Sequence, residues 1–148
     1  MATLVGLQND FMKALSELLE LEYDASEAYK MALEKIENQE YKKVLTTFFE
    51  DHNRHIKDIS NFINASSHEA PTGPDNTKQW LVKGKVFLAN LVNDESVLGA
   101  MASNEEDTNT AYERMCGRED LPDEAKKFLS LAYEDEKRHK SWLDQNKS

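Results

Sequence analysis

The chain has 148 residues, a length that fits one domain with a buried core. It carries 18 basic and 28 acidic residues, a formal charge of −10, which repels nucleic-acid phosphates. Its apolar runs of a few residues fall far short of the roughly 20 needed to cross a bilayer. The one cysteine, Cys116, excludes an internal disulfide and a thiolate metal cage. Together with a first stretch, Met1 to Asp10, that has neither Lys nor Arg nor a signal-like apolar run, it leads to the expectation of a cytoplasmic protein. With only 5 Gly and 3 Pro against plentiful Ala, Leu, Glu and Lys, the composition predicts an all-α chain.

From Leu7 to Ile36, Phe11, Leu15, Leu18, Leu19, Ala25, Tyr29 and Leu33 recur at three- and four-residue steps, which predicts a first helix with one buried face. Glu37-Asn38-Gln39 interrupts the stripe, and Val44, Leu45, Phe48, Ile56, Ile59 and Ile63 resume it in a second helix from about Glu40 to Asn64. The stretch Ala65 to Asn76 holds two of the three prolines and reads as a loop. A short amphipathic segment, Lys78 to Val92, carries Trp80, Leu81, Phe87, Leu88 and Leu91 around Gly84. Asn93 can cap a third helix, Asp94 to Met115, with Asp94 and Glu95 in the first turn and Gly117 at its end. Asp120 and Pro122 mark the start of a fourth, in which Phe128, Leu129, Ala132, Glu136, His139 and Leu143 share a face.

The connections between the first and second helices and between the third and fourth are short, so each joins an antiparallel pair. Asn64 to Val92 is long enough to run the length of a bundle and leave the second and third helices parallel. Residues 1–148 are thus expected to form a single up-down four-helix bundle with one long crossover carrying a short extra helix.

Two halves of the chain match. Glu22-Tyr-Asp24-Ala-Ser-Glu-Ala-Tyr29 and Glu105-Glu-Asp107-Thr-Asn-Thr-Ala-Tyr112 place Glu, Asp, Ala and Tyr at identical offsets. Seven residues is close to two helical turns, so each Glu shares the apolar face of its Tyr and points inward. The second and fourth helices add His52-Asn-Arg-His55 and Glu136-Lys-Arg-His139, pairs spaced so that both side chains stand on one face. Counted from the first turn at 1.5 Å per residue, Glu22, His52 and His55 lie at about the same height, roughly 21 to 26 Å away, and Glu105, Glu136 and His139 lie roughly 18 to 28 Å from the second. Six polar groups therefore converge at mid-bundle, where unpaired carboxylates would be costly to desolvate and metal cations would offset that cost. Tyr29 and Tyr112 read as core residues, each bonded to a buried carboxylate, and Asp24 and Asp107 lie off the ligand face.

On these residues the chain resembles the ferritin-like superfamily, and within it bacterioferritin and rubrerythrin more than ferritin itself, as well as a group of small bacterial ferritin-like proteins. The resemblance spans about Leu15 to Leu143 outside the crossover. It implies a ferritin-like fold, with Glu22 as a terminal ligand seven residues before Tyr29, and with Glu136 bridging two irons while His139 binds one. One departure matters: where the family has a bridging Glu in the second helix, this chain has His52. A neutral imidazole cannot bridge as a carboxylate does, so the second metal position is expected to suffer, with Asp51 or Glu50 as conceivable substitutes. The chain's end at Ser148 leaves no fifth helix of the kind storage cages use, so a 24-subunit shell is not expected.

The combined expectation is a protein that binds one or two transition metals, iron or manganese with zinc as a competitor, through Glu22, His52, His55, Glu105, Glu136 and His139. If it is an enzyme, the reaction is oxidation of Fe(II) by oxygen or peroxide, with Tyr29 and Tyr112 tuning the centre from outside the ligand shell. A homodimer is a further expectation, and the alternative function is a helical interaction or structural protein whose site is a degenerate relic and whose contact surface is the crossover segment with Trp80, Phe87 and Leu91. Neither nucleic acid nor membrane is expected as a partner.

Overall fold

The computed structural model describes residues 3–74 and 87–147. Four long helices form, α1 (Phe11–Lys35), α2 (Gln39–Ala65), α3 (Asp94–Cys116) and α4 (Asp123–Asn146). The start of α1 falls four residues later than the apolar stripe suggests because the Asp10 carboxylate caps it, accepting from Lys13 N at 3.0 Å. Asn38 caps α2 through Glu40 N and Tyr41 N, and Asn93 caps α3 through Ser96 N. The Asp94 carboxylate in turn accepts from Glu37 N and Asn38 N, both at 2.9 Å. The tight α1–α2 turn is thereby pinned to the beginning of α3.

Residues 3–9, in which Leu7 begins the apolar stripe, form a strap across the end of the bundle. Arg114 donates to the Thr3 and Val5 carbonyls at 2.6 and 3.1 Å, and Arg118 to those of Gly6 and Gln8 at 2.7 and 2.8 Å. Gly6 has φ +97, and a Cβ there would sit 2.6 Å from Arg114 Cβ, so the strap needs glycine at this point.

Helix directions follow from pairs of contacts. Tyr29 meets Glu105 while Glu22 meets Tyr112, so α1 and α3 are antiparallel. Likewise His55 meets Asp135 while Asp51 meets His139, so α2 and α4 are antiparallel. With α1 antiparallel to α2 across a short turn, α2 and α3 run parallel, which is the one-crossover topology expected from the loop lengths. The predicted crossover helix over 78–92 lies mostly outside the described residues; 87–89 are helical, with Leu88 buried and Phe87 exposed.

The core falls into two apolar clusters. One contains Phe11, Leu15, Leu18, Ile63, Met115 and Leu129; the other contains Ala32, Leu45, Phe48, Leu98, Met101 and Leu143. Between them lies a layer in which Glu22, His52, Glu105, Glu136 and His139 are 0% exposed and His55 is 2%. The apolar clusters close both ends of that polar layer. No described helix is long and apolar enough to cross a membrane.

Candidate metal centre

All six sequence-predicted site residues, and both tyrosines, face this layer. The two α1/α3 repeats interlock: Tyr29 Oη donates to Glu105 Oε1 at 2.5 Å, and Tyr112 Oη donates to Glu22 Oε2 at 2.7 Å. Each tyrosine thus serves the glutamate of the other half rather than its own. This exchange follows from the antiparallel packing, which sets position 22 beside 112 and position 29 beside 105. Burial, then the neighbouring Glu105 and Glu22 carboxylates respectively, push both phenols well above their ordinary pKa, so they remain donors.

The histidines of α2 and α4 are arranged alike. His55 Nε2–H donates to Asp135 Oδ2 at 2.9 Å while its Nδ1 lies 2.7 Å from Glu22 Oε2. His139 Nε2–H donates to Asp51 Oδ2 at 2.8 Å while its Nδ1 lies 3.2 Å from Glu105 Oε1. In an imidazolium both N–H groups are used, one by the aspartate and one by the glutamate; a neutral ring keeps one N–H, which the aspartate can hold. In that neutral form each Nδ1 would face its carboxylate with a lone pair, an arrangement that only a cation between them makes attractive. His52 differs from both: Nδ1 is 2.6 Å from Glu22 Oε1 and Nε2 is 2.8 Å from Glu105 Oε1, so neither nitrogen faces outward.

Glu136 stands between the two halves. Its Oε1 is buried with no hydrogen-bond donor in good geometry, the nearest nitrogens being His55 Nδ1 at 3.3 Å and His52 Nδ1 at 3.4 Å. Its Oε2 shares the single hydroxyl proton of Thr108 with Glu105 Oε2, both at 3.1 Å. Two sets of ligand atoms emerge, Glu22, His52, His55 and Glu136, and His52, Glu105, Glu136 and His139, each with its atoms within 4.8 Å of one another. His52 and Glu136 belong to both.

Charges in this dry layer set one another. Burial opposes ionisation of Glu22, but His52 and His55 override it and hold the carboxyl down at about 2. Burial and the Glu105 charge act together on Glu136 and raise it to about 7. Burial likewise opposes charge on the histidines; Glu22 and Glu136 overcome it at His55, and Asp51, Glu105 and Glu136 at His139, and both rise to about 10. Without metal, protons on the imidazoles balance the carboxylates around them. With metal, the same imidazole nitrogens must release their protons.

Sequence reasoning missed several supporting groups. Asp51 and Asp135 lie on the α2–α4 seam, where Arg138 donates to both and Arg54 pairs with both. Asp51 therefore faces His139 and lies outside both candidate ligand sets. The signal was present: Asp51-x-x-Arg54-His55 and Asp135-x-x-Arg138-His139 repeat between the halves. Asn109 was missed as well; its Nδ2 donates to the backbone carbonyls of Glu105 and Glu136 at 2.8 and 3.0 Å, locking the two ligand-bearing turns of α3 and α4 together. Asp24 is buried beside the layer without entering the ligand sets, and Asp107 is half-buried, its carboxyl pushed up by desolvation.

A one-crossover four-helix bundle is the ferritin-like fold, and its central layer of Glu and His is compatible with a metal site. A crystal structure of ferritin-like, diiron-carboxylate proteins from Bacillus anthracis str. Ames shares this fold, at 22% identity and a TM-score of 0.69 over 93% of this chain and 95% of that one. The chain belongs to the family described as Domain of unknown function (DUF2383), whose sequence pattern matches residues 10–117. That match covers α1 to α3 and stops before Glu136 and His139. No curated protein matches the chain.

Proposed function

We propose that the chain is a metal-binding protein whose central layer holds one or two transition-metal ions, iron foremost, and that it oxidises Fe(II) with oxygen or peroxide. The observation that carries this reading is Glu136 Oε1, a buried carboxylate oxygen without a donor, aimed between two imidazole nitrogens. An orphaned anion of this kind is costly in a dry core and is what a cation would satisfy. Carboxylate oxygens and imidazole nitrogens together suit Fe(II) and Mn(II), with Zn(II) able to compete.

Glu22 and Glu105 would each hold one side of the centre, and Glu136 would reach both. His55 and His139 would bind through Nδ1, since Asp135 and Asp51 hold their Nε2–H bonds and so fix the tautomer. Tyr29 and Tyr112 restrain one oxygen of each terminal carboxylate, and the apolar clusters on either side exclude water. Bound iron would supply the one-electron chemistry toward oxygen or peroxide that these side chains lack.

The reading is tested by melting the chelated protein with and without Fe(II) under anaerobic conditions, then following Fe(II) oxidation on admission of oxygen or peroxide. Because a ligand that binds only the folded state stabilises it by mass action, wild type should melt higher with Fe(II) and oxidise it faster than buffer does. A Glu136→Ala/His139→Ala variant should do neither. A second reading, a structural bundle with a relic site, is favoured by the mutual pairing of the buried glutamates and histidines; it predicts that wild type and variant respond to Fe(II) alike.

A further inference from the structure

His52 is the one imidazole in the layer with no outward partner. Its neighbours define two sides. On the Nδ1 side stand Glu22 Oε1 at 2.6 Å and Glu136 Oε1 at 3.4 Å, and Glu136 Oε1 is in turn 3.3 Å from His55 Nδ1. On the Nε2 side stands Glu105 Oε1 at 2.8 Å, itself 3.2 Å from His139 Nδ1, with Glu136 Oε2 3.6 Å from that same nitrogen. The His52 ring lies between the other two, 5.7 Å from the His55 ring and 5.1 Å from the His139 ring. Each ligand set therefore receives one nitrogen of His52 and one oxygen of Glu136.

We propose that His52 is a bridging ligand, giving Nδ1 to one metal ion and Nε2 to a second, and so holding the two farther apart than a pair bridged by carboxylates alone. This inference rests on the reading that the layer binds divalent metal. Charge supports it independently of the distances. Two divalent cations bring +4 and Glu22, Glu105 and Glu136 bring −3, so a neutral His52 would leave one net positive charge in a layer no more than 2% exposed at any of the six residues. Coordination through both nitrogens displaces the last ring N–H proton to solvent and makes the ligand an anion. The centre is then neutral. Cations this close favour such a deprotonation, as they do for other coordinated groups.

The proposed geometry has a direct readout. Two metal–nitrogen bonds of about 2.0 Å on opposite sides of an imidazole ring set the ions about 6 Å apart, whereas pairs bridged by carboxylate or water alone sit about 3.5 to 4 Å apart. The test is crystallography of the full chain loaded with Co(II) alone, with anomalous difference maps at the cobalt edge for wild type and for His52→Glu. Wild type should show two peaks about 6 Å apart with the His52 ring between them, and in His52→Glu the pair should contract toward 4 Å or less. Two wild-type peaks already at the shorter spacing, or a single peak bound by one nitrogen of His52, would overturn the bridge while leaving metal binding intact. Absence of any peak among the six residues would overturn both the bridge and the metal reading. The wild-type map decides the matter even if the variant fails to fold.

Discussion

Raising the pH of the chelated protein removes the protons that balance its buried glutamates, and the loss should be large. His55 and His139 have folded-state values raised from 6.5 to about 10 by the carboxylates around them. A raised value means the folded state binds more protons than the unfolded one between those limits, so the contribution is complete below 6.5 and disappears as pH climbs toward 10. Glu136, raised from 4.5 to about 7, acts in the same direction over its own window, whereas Glu22, lowered from 4.5 to about 2, contributes stability that is lost only on acidification. At 1.36 kcal/mol per pH unit, each histidine is worth at most about 5 kcal/mol. The two share Glu136 as a partner, so their effects overlap, but even half of one such contribution is a sizeable fraction of the 5–15 kcal/mol that holds a typical domain together. Urea unfolding followed by circular dichroism in the presence of chelator should show a midpoint that falls steadily from about pH 6 to about pH 9. Bound metal should reverse the trend, because it requires the same nitrogens unprotonated and so stabilises more as pH rises. A chelated protein equally stable at both ends of that range would refute the electrostatic account of the layer.

Tyr112→Phe removes the hydroxyl that donates to Glu22 at 2.7 Å; loss of a buried hydrogen bond to a carboxylate should cost the chelated protein about 2 kcal/mol by urea unfolding. Asp135→Asn leaves the size of the side chain unchanged but weakens its hold on His55 Nε2–H, and should lower metal affinity by roughly 10- to 100-fold in an anaerobic competition titration. Asp10→Ala deletes the α1 cap and should lower unfolding free energy by about 1 kcal/mol with metal affinity unchanged, which separates damage at the bundle end from damage at the centre.

The helices and inward glutamates were legible because periodicity and spacing are properties of a single helix. Glu22 and Tyr29, or Glu105 and Tyr112, share a face whatever surrounds them. What joins two helices was harder to read. That Tyr29 serves Glu105, or that Asp135 holds His55, depends on which positions an antiparallel neighbour brings alongside, and Asp51 and Asp135 sit one residue off the ligand face, where a charge ordinarily reads as solvated. The repeat of Asp-x-x-Arg-His between the halves was the available clue. The predicted first helix overruns into the strap because Leu7 continues the apolar period, although one capping carboxylate at Asp10 is enough to end the helix there. His52 shows the limit most clearly: the sequence gives its residue type and face, but which carboxylate each nitrogen meets is set by the rotation of one ring between four helices.

The central claim is that the buried layer binds metal, and anaerobic Fe(II) titration of the chelated full-length protein, with bound iron counted after removal of the excess, tests it most directly. Wild type should retain one or two Fe(II) per chain, and a Glu22→Ala/Glu105→Ala variant, shown by circular dichroism to keep its helices, should retain none. Retention of the same amount of iron by both, or of none by wild type, would contradict the account.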